Sequence, residues 1–558
     1  MSRSILAESN INIKVIEVEN SDKEKVLLDG DNLTIQDVVN VSRNNYKVEI
    51  CETSRNKIIE IRKHIEEKWI NDDAPPVYGF NTGVGKLKDY NISAEDNNKF
   101  QKNIVMTHCG GVGEPASEEI VRATMVVRLN AFCQGVSGLR IETVDRLVDL
   151  LNKGIHPVIP VQGSVGACGD LAPLAHMVSV MIGYEEAEAY YEGVRMSAPE
   201  ALKKAGMTND FELQAKDCLA LINGTTMFAG MAALNVADAE EQLATAEISG
   251  ALSLEAVRGE LAAFDERMHI VRKQVGQVKV AANIRRLVEG SERTTEEARK
   301  VHLKDDILHP RYQPRVQDLY SLRCLAQVQG ACRDNFEYAK SLIEKEINAA
   351  TDNPLVFWNE ETQDLDFISG GNFHGEPIAF AMDIIAMSLA EIGNISERRI
   401  FSLCDNTLSY GLPPMLVGEP VGLNCGYPVI SCAGAALASE NKTLCFPASV
   451  DTIPTKSNQE DHVSMAPWAC RKLQQIIGNL NRILGIEFLL ASRGIYITEK
   501  YLGQFELGKG TKVAYDLLRE KIPFTNDDSY MPAQSGAAIK AVEDRSILKL
   551  VEGTVGKL

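Results

Sequence analysis

The 558-residue chain contains no CxxC pair, no HExxH and no cysteine–histidine cluster at zinc spacing, although it has 12 cysteines and nine histidines. Scattered thiols of this kind fit a reducing compartment and imply no disulfide framework. A structural metal is not expected either, because His374 and Glu376 are too closely spaced to place two ligands on one helix face. A basic surplus is also missing. The formal net charge is -19, and nucleic-acid affinity rests on clustered Lys and Arg that release counterions, so that class of partner is set aside. The opening MSRSILAESNINIKVIEVEN has acids early and no apolar core of signal-peptide length, which makes cytoplasm the expected location. Two stretches, 218–237 and 420–439, lack charge, but Asn, Gly or Pro interrupts each, so both are expected as buried core and no membrane partner is expected. No period of 20 to 50 residues repeats, and no low-complexity tract marks a linker.

What the chain does have is apolar content, 45% of its residues, and enough length for two or three structural regions. Residues 11–18, INIKVIEV, alternate well enough for a short strand, and 33–68 read as two helices. Beyond Asn223, helical periodicity with little Gly or Pro dominates at roughly 229–265, 327–349, 376–404 and 468–496. Helices this long outrun the usual globular length, so a mainly α fold is expected in which a bundle of them buries facing apolar stripes.

The segment GSVGACGDLAPLAH, residues 163–176, is a Gly-rich loop feeding a helix whose N-cap would be Asp170, with Pro173 in the tolerant first turn. The helix macrodipole then points its positive end at Ala167, Cys168 and Gly169. A closely packed structural turn is the commoner meaning of such a loop. A second reading makes Cys168 a thiolate nucleophile with a lowered pKa and His176 nearby. A second irregular loop, YGFNTGVGKLK at 78–88, has three glycines within seven residues.

The 163–176 segment resembles the signature of the histidine and phenylalanine/tyrosine ammonia-lyases, and the resemblance extends from about residue 27 to about residue 550 with motifs in family order. In that family an Ala-Ser-Gly triplet cyclises into an electrophilic methylidene-imidazolone (MIO). Here Cys168 stands where the family has Ser. The resemblance implies that the Gly169 nitrogen attacks the Ala167 carbonyl and that the Cys168 side chain is then eliminated, as hydrogen sulfide in place of water. It also implies a fumarase/aspartase-like long-helix bundle over 216–558, an N-terminal region at 27–215 holding the MIO loop, an extension at 1–26, and a homotetramer whose subunits share each active site. No metal and no dissociable cofactor enter the chemistry.

The remaining roles are carried over position by position. Tyr78 matches the catalytic tyrosine that removes the substrate β-proton, which asks for nearby positive charge or dipoles that favour the phenolate. In RVQDLYSLRC, Gln317, Tyr320 and Arg323 fall three apart, so a helix starting after Pro314 would put them on one face. Arg323 resembles the carboxylate-binding arginine, for which a planar fork suits bidentate pairing. A solvated helix face is the alternative for that pattern. Asn223, in LINGTT, matches the asparagine that bonds the prosthetic ring, and Asn353 and Phe373 match further active-site positions. Without the resemblance, DNP reads as a helix stop and the GG pair before Phe373 as a turn.

Two positions speak to the substrate. His108, in NIVMTHCGGVGEP, and Glu460, in SVDTIPTKSNQEDHVSM, resemble the histidine-lyase versions of their segments. A carboxylate in a closed pocket can accept an imidazole N–H, whereas a phenyl ring would leave its charge unpaired. The expected reaction is conversion of L-histidine to urocanate and ammonia. Tyrosine is the rival substrate, because its hydroxyl can meet either residue. Aminomutase chemistry and an uncyclised, silent amino-acid binder are the other readings.

Overall fold

The protein is described from a computed structural model that covers residues 24–304 and 316–558. The strand expected at 11–18 lies outside the described residues, as does nearly all of the expected extension. Helices dominate, and the strands are short, no longer than five residues among those described. One hydrophobic core runs without a break from Val26 to Leu558.

The N-terminal part opens with two parallel strands, Lys25–Leu28 and Lys47–Ile50, which flank α1 (Ile35–Arg43). A capping box starts α1: the Thr34 hydroxyl accepts from Asp37 N–H at 3.0 Å, and the Asp37 carboxylate accepts from Thr34 N–H at 3.1 Å. Then come α2 (Glu52–Lys68), α3 (Asn97–His108), α4 (Glu118–Phe132), α5 (Leu171–Met181) and the short α6 (Asp217–Ile222). A small satellite core of Ile65, Val77, Phe80, Val356 and Leu365 anchors the loop that carries Tyr78.

The bundle is built from α7 (Thr226–Ala256), α9 (Leu325–Glu346), α10 (Glu376–Cys404) and α12 (Ala466–Ile497), with the four-residue α8 (Tyr320–Arg323) ahead of α9 and α11 (Pro428–Leu444) beside α10 and α12. α10 lies along both α9 and α12, and α7 along α12. At 32 residues, α12 spans about 48 Å. The four long helices coincide with the four expected segments, but α7 stops nine residues early. Arg258 takes a left-handed φ of 55°, and its buried guanidinium donates to the carbonyls of Val301 and Tyr410, both at 2.6 Å, so tertiary bonds end a helix that periodicity would extend.

Two further expectations change. DNP does not stop a helix: α9 ends at Glu346, and the strand Leu355–Asn359 follows Pro354. Residues 420–439 are not buried core in this chain, since Leu423 and Val429 are each 78% exposed and α11 buries only Gly434, Ala438 and Asn441. By contrast 218–237 is buried almost throughout. α10 is long and apolar enough to cross a membrane, yet 72% of its most apolar window is buried inside the bundle, as befits a core helix.

Charge is also buried in the bundle. Arg399 and Glu487, both wholly inaccessible, face each other from α10 and α12, with Nε and Nη2 donating to the two carboxylate oxygens at 2.5 and 2.9 Å. Ser249, Ser253 and Ser396 donate to the same carboxylate, so its lone pairs are filled. Removing one partner strands the other charge in the core. Arg399→Leu is therefore expected to lose roughly 3–5 kcal/mol of stability in a urea titration, whereas a change within about 1 kcal/mol would show that the pair is not what orders this layer.

Candidate active site

The Gly-rich loop at 163–176 meets the turn at the start of α7, and the 78–88 loop lines the cavity beside it. Ala167 bridges to Gly169, and Gly169 to Gly224, so residues 167–169 lie flat against the turn that leads from α6 into α7. Gly169 has a φ of 69°, and a Cβ there would sit 1.9 Å from the Gly224 carbonyl oxygen, so only glycine allows the approach. The contact is tied by Asp170 N–H donating to Gly224 O at 2.8 Å and Gly224 N–H donating to Cys168 O at 3.3 Å.

Asp170 does not cap its own helix with its side chain. Its carboxylate accepts from Met227 N–H at 2.9 Å and Phe228 N–H at 3.0 Å, so it caps α7 instead. Burial pushes this acid up to about 8, while the two N–H donors and Arg128 pull the other way. As a result the N-terminal ends of α5 and α7 both stand beside the 167–169 loop, and both carry partial positive charge.

Tyr78, His108, Ala167, Cys168, Gly169, Asn223 and Glu460 line one cavity made of two adjoining lobes, each of about 350 Å³. The Tyr78 hydroxyl accepts from Gly85 N–H at 3.0 Å. Burial raises its phenol pKa above the usual value, Cys168 and Glu460 add to the rise, and the Gly85 N–H opposes it. Among the described residues the Gly85 N–H favours the phenolate, but burial outweighs it. His108 closes α3, and its Nδ1 lies 2.8 Å from the Ile104 carbonyl oxygen. A carbonyl can only accept, so Nδ1 carries the hydrogen and Nε2 keeps the lone pair. Burial and the Lys456 charge hold the ring below its usual pKa, which keeps it neutral at pH 7.

Glu460 is the most fully bonded group in the cavity. Its Oε1 accepts from the Cys168 thiol and from Lys456 Nζ, both at 2.9 Å, and Oε2 accepts from the Thr455 hydroxyl at 2.7 Å. Burial pushes the carboxyl up, but these bonds outweigh it and hold the pKa below the ordinary range. Cys168 moves the opposite way, pushed up to about 12 by burial despite Lys456. Burial and the neighbouring Glu460 carboxylate thus disfavour a thiolate at Cys168. His176 does not rescue it, since its Nε2 accepts from Gly111 N–H at 3.1 Å and the ring lines neither lobe. Asn223 is buried, and its Oδ1 has no hydrogen-bond partner.

The other expected residues lie elsewhere. Gln317 is exposed and precedes the helix, which begins only at Tyr320, so the three-residue spacing does not make one helical face. The cause is Asp318, which is buried with its carboxylate accepting from Glu260 N–H at 2.5 Å, while Leu319 is extended. Tyr320 is 71% exposed. Arg323 stacks on its ring at 4.5 Å and donates from Nε to Asp318 O at 3.1 Å. Asn353 is buried, with Oδ1 accepting from Gly370 N–H at 2.7 Å, and Phe373 is half-buried in the turn before α10. None of these five lines the cavity.

Lys456 was not singled out from the sequence. Its spacing of four from Glu460 is a signal, but the segment is no α-helix: Lys456, Ser457 and Asn458 all have left-handed φ, between 45° and 64°, and this fold-back brings the ammonium to the carboxylate.

A family model described as "Aromatic amino acid lyase" matches residues 33–520. The histidine ammonia-lyase of Alkaliphilus oremlandii is 43% identical over 532 residues, covering 95% of this chain and 99% of that protein. Histidine ammonia-lyase 2 of Fusobacterium nucleatum subsp. nucleatum is 46% identical over 531 residues, again 95% and 99%. Among solved structures, tyrosine aminomutase from Streptomyces globisporus has a TM-score of 0.86 at 34% identity, covering 95% of this chain and 99% of that one. Histidine ammonia-lyase from Trypanosoma cruzi has a TM-score of 0.83 at 34% identity, covering 95% of each.

The geometry of the loop is directly testable. Gly169→Ala adds a Cβ that has no room and forces an alanine into the left-handed region, which alone costs roughly 1–2 kcal/mol. Thermal unfolding of the variant is expected to shift down by about 1–2 °C from that cost alone, and an unchanged midpoint would mean that the loop can rebuild at no cost.

Proposed function

We propose that this chain, which belongs to the aromatic amino acid lyase family, removes ammonia from L-histidine to give trans-urocanate. The observation that carries the reading is one cavity in which a half-buried tyrosine, a neutral histidine and an ionised, hydrogen-bonded glutamate surround the 167–169 loop. Relatives named histidine ammonia-lyase match nearly the whole chain and support the choice of substrate.

The family is MIO-dependent, and we assign the group to Ala167, Cys168 and Gly169. The residues present fit it: a glycine that nothing else can replace, a backbone already bridged from 167 to 169, and an orphaned Asn223 Oδ1 in the same cavity. Formation closes a bond between the Gly169 nitrogen and the Ala167 carbonyl carbon with loss of water. The Cα hydrogen and the sulfur of Cys168 leave together as hydrogen sulfide, and no oxidant is needed. When present, the group supplies an electron-poor double bond for the substrate amine.

Every other step belongs to ordinary side chains. Glu460 accepts the imidazole N–H, and its ion pair with Lys456 and bond from Thr455 keep it charged and fixed. His108 offers a second acceptor through Nε2. Tyr78 takes the β-proton, a step open only to its deprotonated form. The helix N-termini beside residues 167–169 favour negative charge that develops there.

Arg323, Tyr320, Gln317, Asn353 and Phe373 enter the same site from other copies of the chain in a homotetramer. Two features support this. Apolar side chains, among them Val316 at 91%, Phe446 at 80% and Val429 at 78%, stand exposed on this chain and are available to be covered by another copy. Among the described residues, no arginine lines the cavity to meet the substrate carboxylate. Unpaired thiols fit a cytoplasmic enzyme.

Purified protein given L-histidine is expected to release urocanate, followed by its ultraviolet absorbance, at a kcat/KM that climbs as pH rises above neutral, because burial raises the Tyr78 pKa. Its intact mass is expected to fall short of the encoded mass by one water and one hydrogen sulfide. Cys168→Ala should show neither. A full encoded mass with no turnover would reject the assignment and leave a silent binder of amino acids. Sharing between copies has its own test. Tyr78→Phe and Arg323→Ala are each expected to lower kcat/KM by roughly 10²–10⁴-fold, and co-assembly of the two should restore part of the activity, because some sites receive an intact residue from each. No recovery in verified mixed assemblies would exclude a shared site.

A further inference from the structure

Outside the cavity, two segments bring together a donor set that no step of the reaction uses. His374 sits in the turn before α10, Glu376 is the first residue of α10, and His462 lies two residues beyond Glu460. One ligand atom from each falls within 4.8 Å of the others. His374 Nδ1 is 4.0 Å from Glu376 Oε2, and the two imidazole rings lie 5.5 Å apart. Because His374 precedes the helix, the spacing that forbids two ligands on one helix face does not apply.

These separations are too long for direct hydrogen bonds. They are close to what a shared ion needs, since bonds of about 2.0–2.2 Å place two ligands as much as roughly 4.3 Å apart. Glu376 Oε2 is shielded from solvent and has no hydrogen-bond partner. A desolvated carboxylate oxygen without a partner is costly, so the set is incomplete as it stands.

We propose that His374, Glu376 and His462 bind a borderline divalent transition-metal ion, of which Zn²⁺ is the representative. Two imidazoles and one carboxylate suit such an ion, whereas Mg²⁺ and Ca²⁺ prefer oxygen ligands throughout. His462 is exposed, which leaves an open side for water. The ion fastens the segment carrying Glu460 to the start of α10. That junction already bears on the loop, since Met465 N–H donates to Val165 O at 3.0 Å and the Ser464 hydroxyl to Gly166 O at 3.4 Å. Metal binding itself does not depend on the proposed activity.

The test is calorimetric titration of tag-free, chelator-stripped, full-length protein with Zn²⁺ and, separately, Mg²⁺. Cys425→Ser and Cys432→Ser are built into every sample, because these are the exposed thiols. One equivalent of Zn²⁺ per chain and no response to Mg²⁺ are expected. Glu376→Gln, which preserves shape, and His462→Ala, at an exposed position, should each bind at least about tenfold more weakly with unchanged circular dichroism. Absence of Zn²⁺ binding, or equal binding by the parent and both variants, overturns the site. Lyase assays on the same samples separate this result from the fate of the proposed reaction.

Discussion

Everything at the cavity depends on one close backbone approach, that of Gly169 against Gly224, and on the carboxylate that locks it. Asp170 directly follows the loop, yet its oxygen bonds the first free N–H groups of α7. A single side chain thus satisfies donors of the 31-residue α7 and ties the loop to it. The loop cannot drift without orphaning those donors, and α7 cannot shift without losing its cap. The small residues on either side are what let two backbones come this near.

The bundle behind this joint is rigid for a different reason. Its interior holds buried ion pairs, Arg399 with Glu487 and Arg333 with Glu247, set among aliphatic layers. Pairs of this kind add little net stability, but they penalise any register in which they are broken. The outer surface contrasts with this order. Apolar side chains on α11 and in the segments around it face outward, and the arginine suited to a carboxylate stacks on an exposed tyrosine and does not line the cavity of Tyr78, His108 and Glu460. The residues expected at the site thus fall into two separate sets within one chain, the arrangement from which sharing between copies is proposed.

Much of this was legible in the sequence where local rules decide. Period and the scarcity of Gly and Pro located four long helices, and glycine density marked both loops that meet at the cavity. Tyr78, His108, Asn223 and Glu460 emerged through resemblance, and the fold gathers them around Cys168. What escaped was set by tertiary contacts. No spacing rule shows that Asp170 caps another helix, that buried Asp318 holds Gln317 out of a helix, or that three left-handed residues turn Lys456 onto Glu460. The 420–439 stretch was misjudged for a related reason: absence of charge marks a surface that avoids water, but does not say whether its own chain or another covers it.

The hydrogen bond from Cys168 to Glu460 carries a last implication. In the unprocessed chain that thiol occupies the carboxylate oxygen which, on the proposed reading, receives the imidazole. Departure of the sulfur would then do two things in one event, creating the electrophile and vacating its neighbouring acceptor. Immature chains would carry their own plug, and the capacity to hold histidine would ripen together with the capacity to transform it.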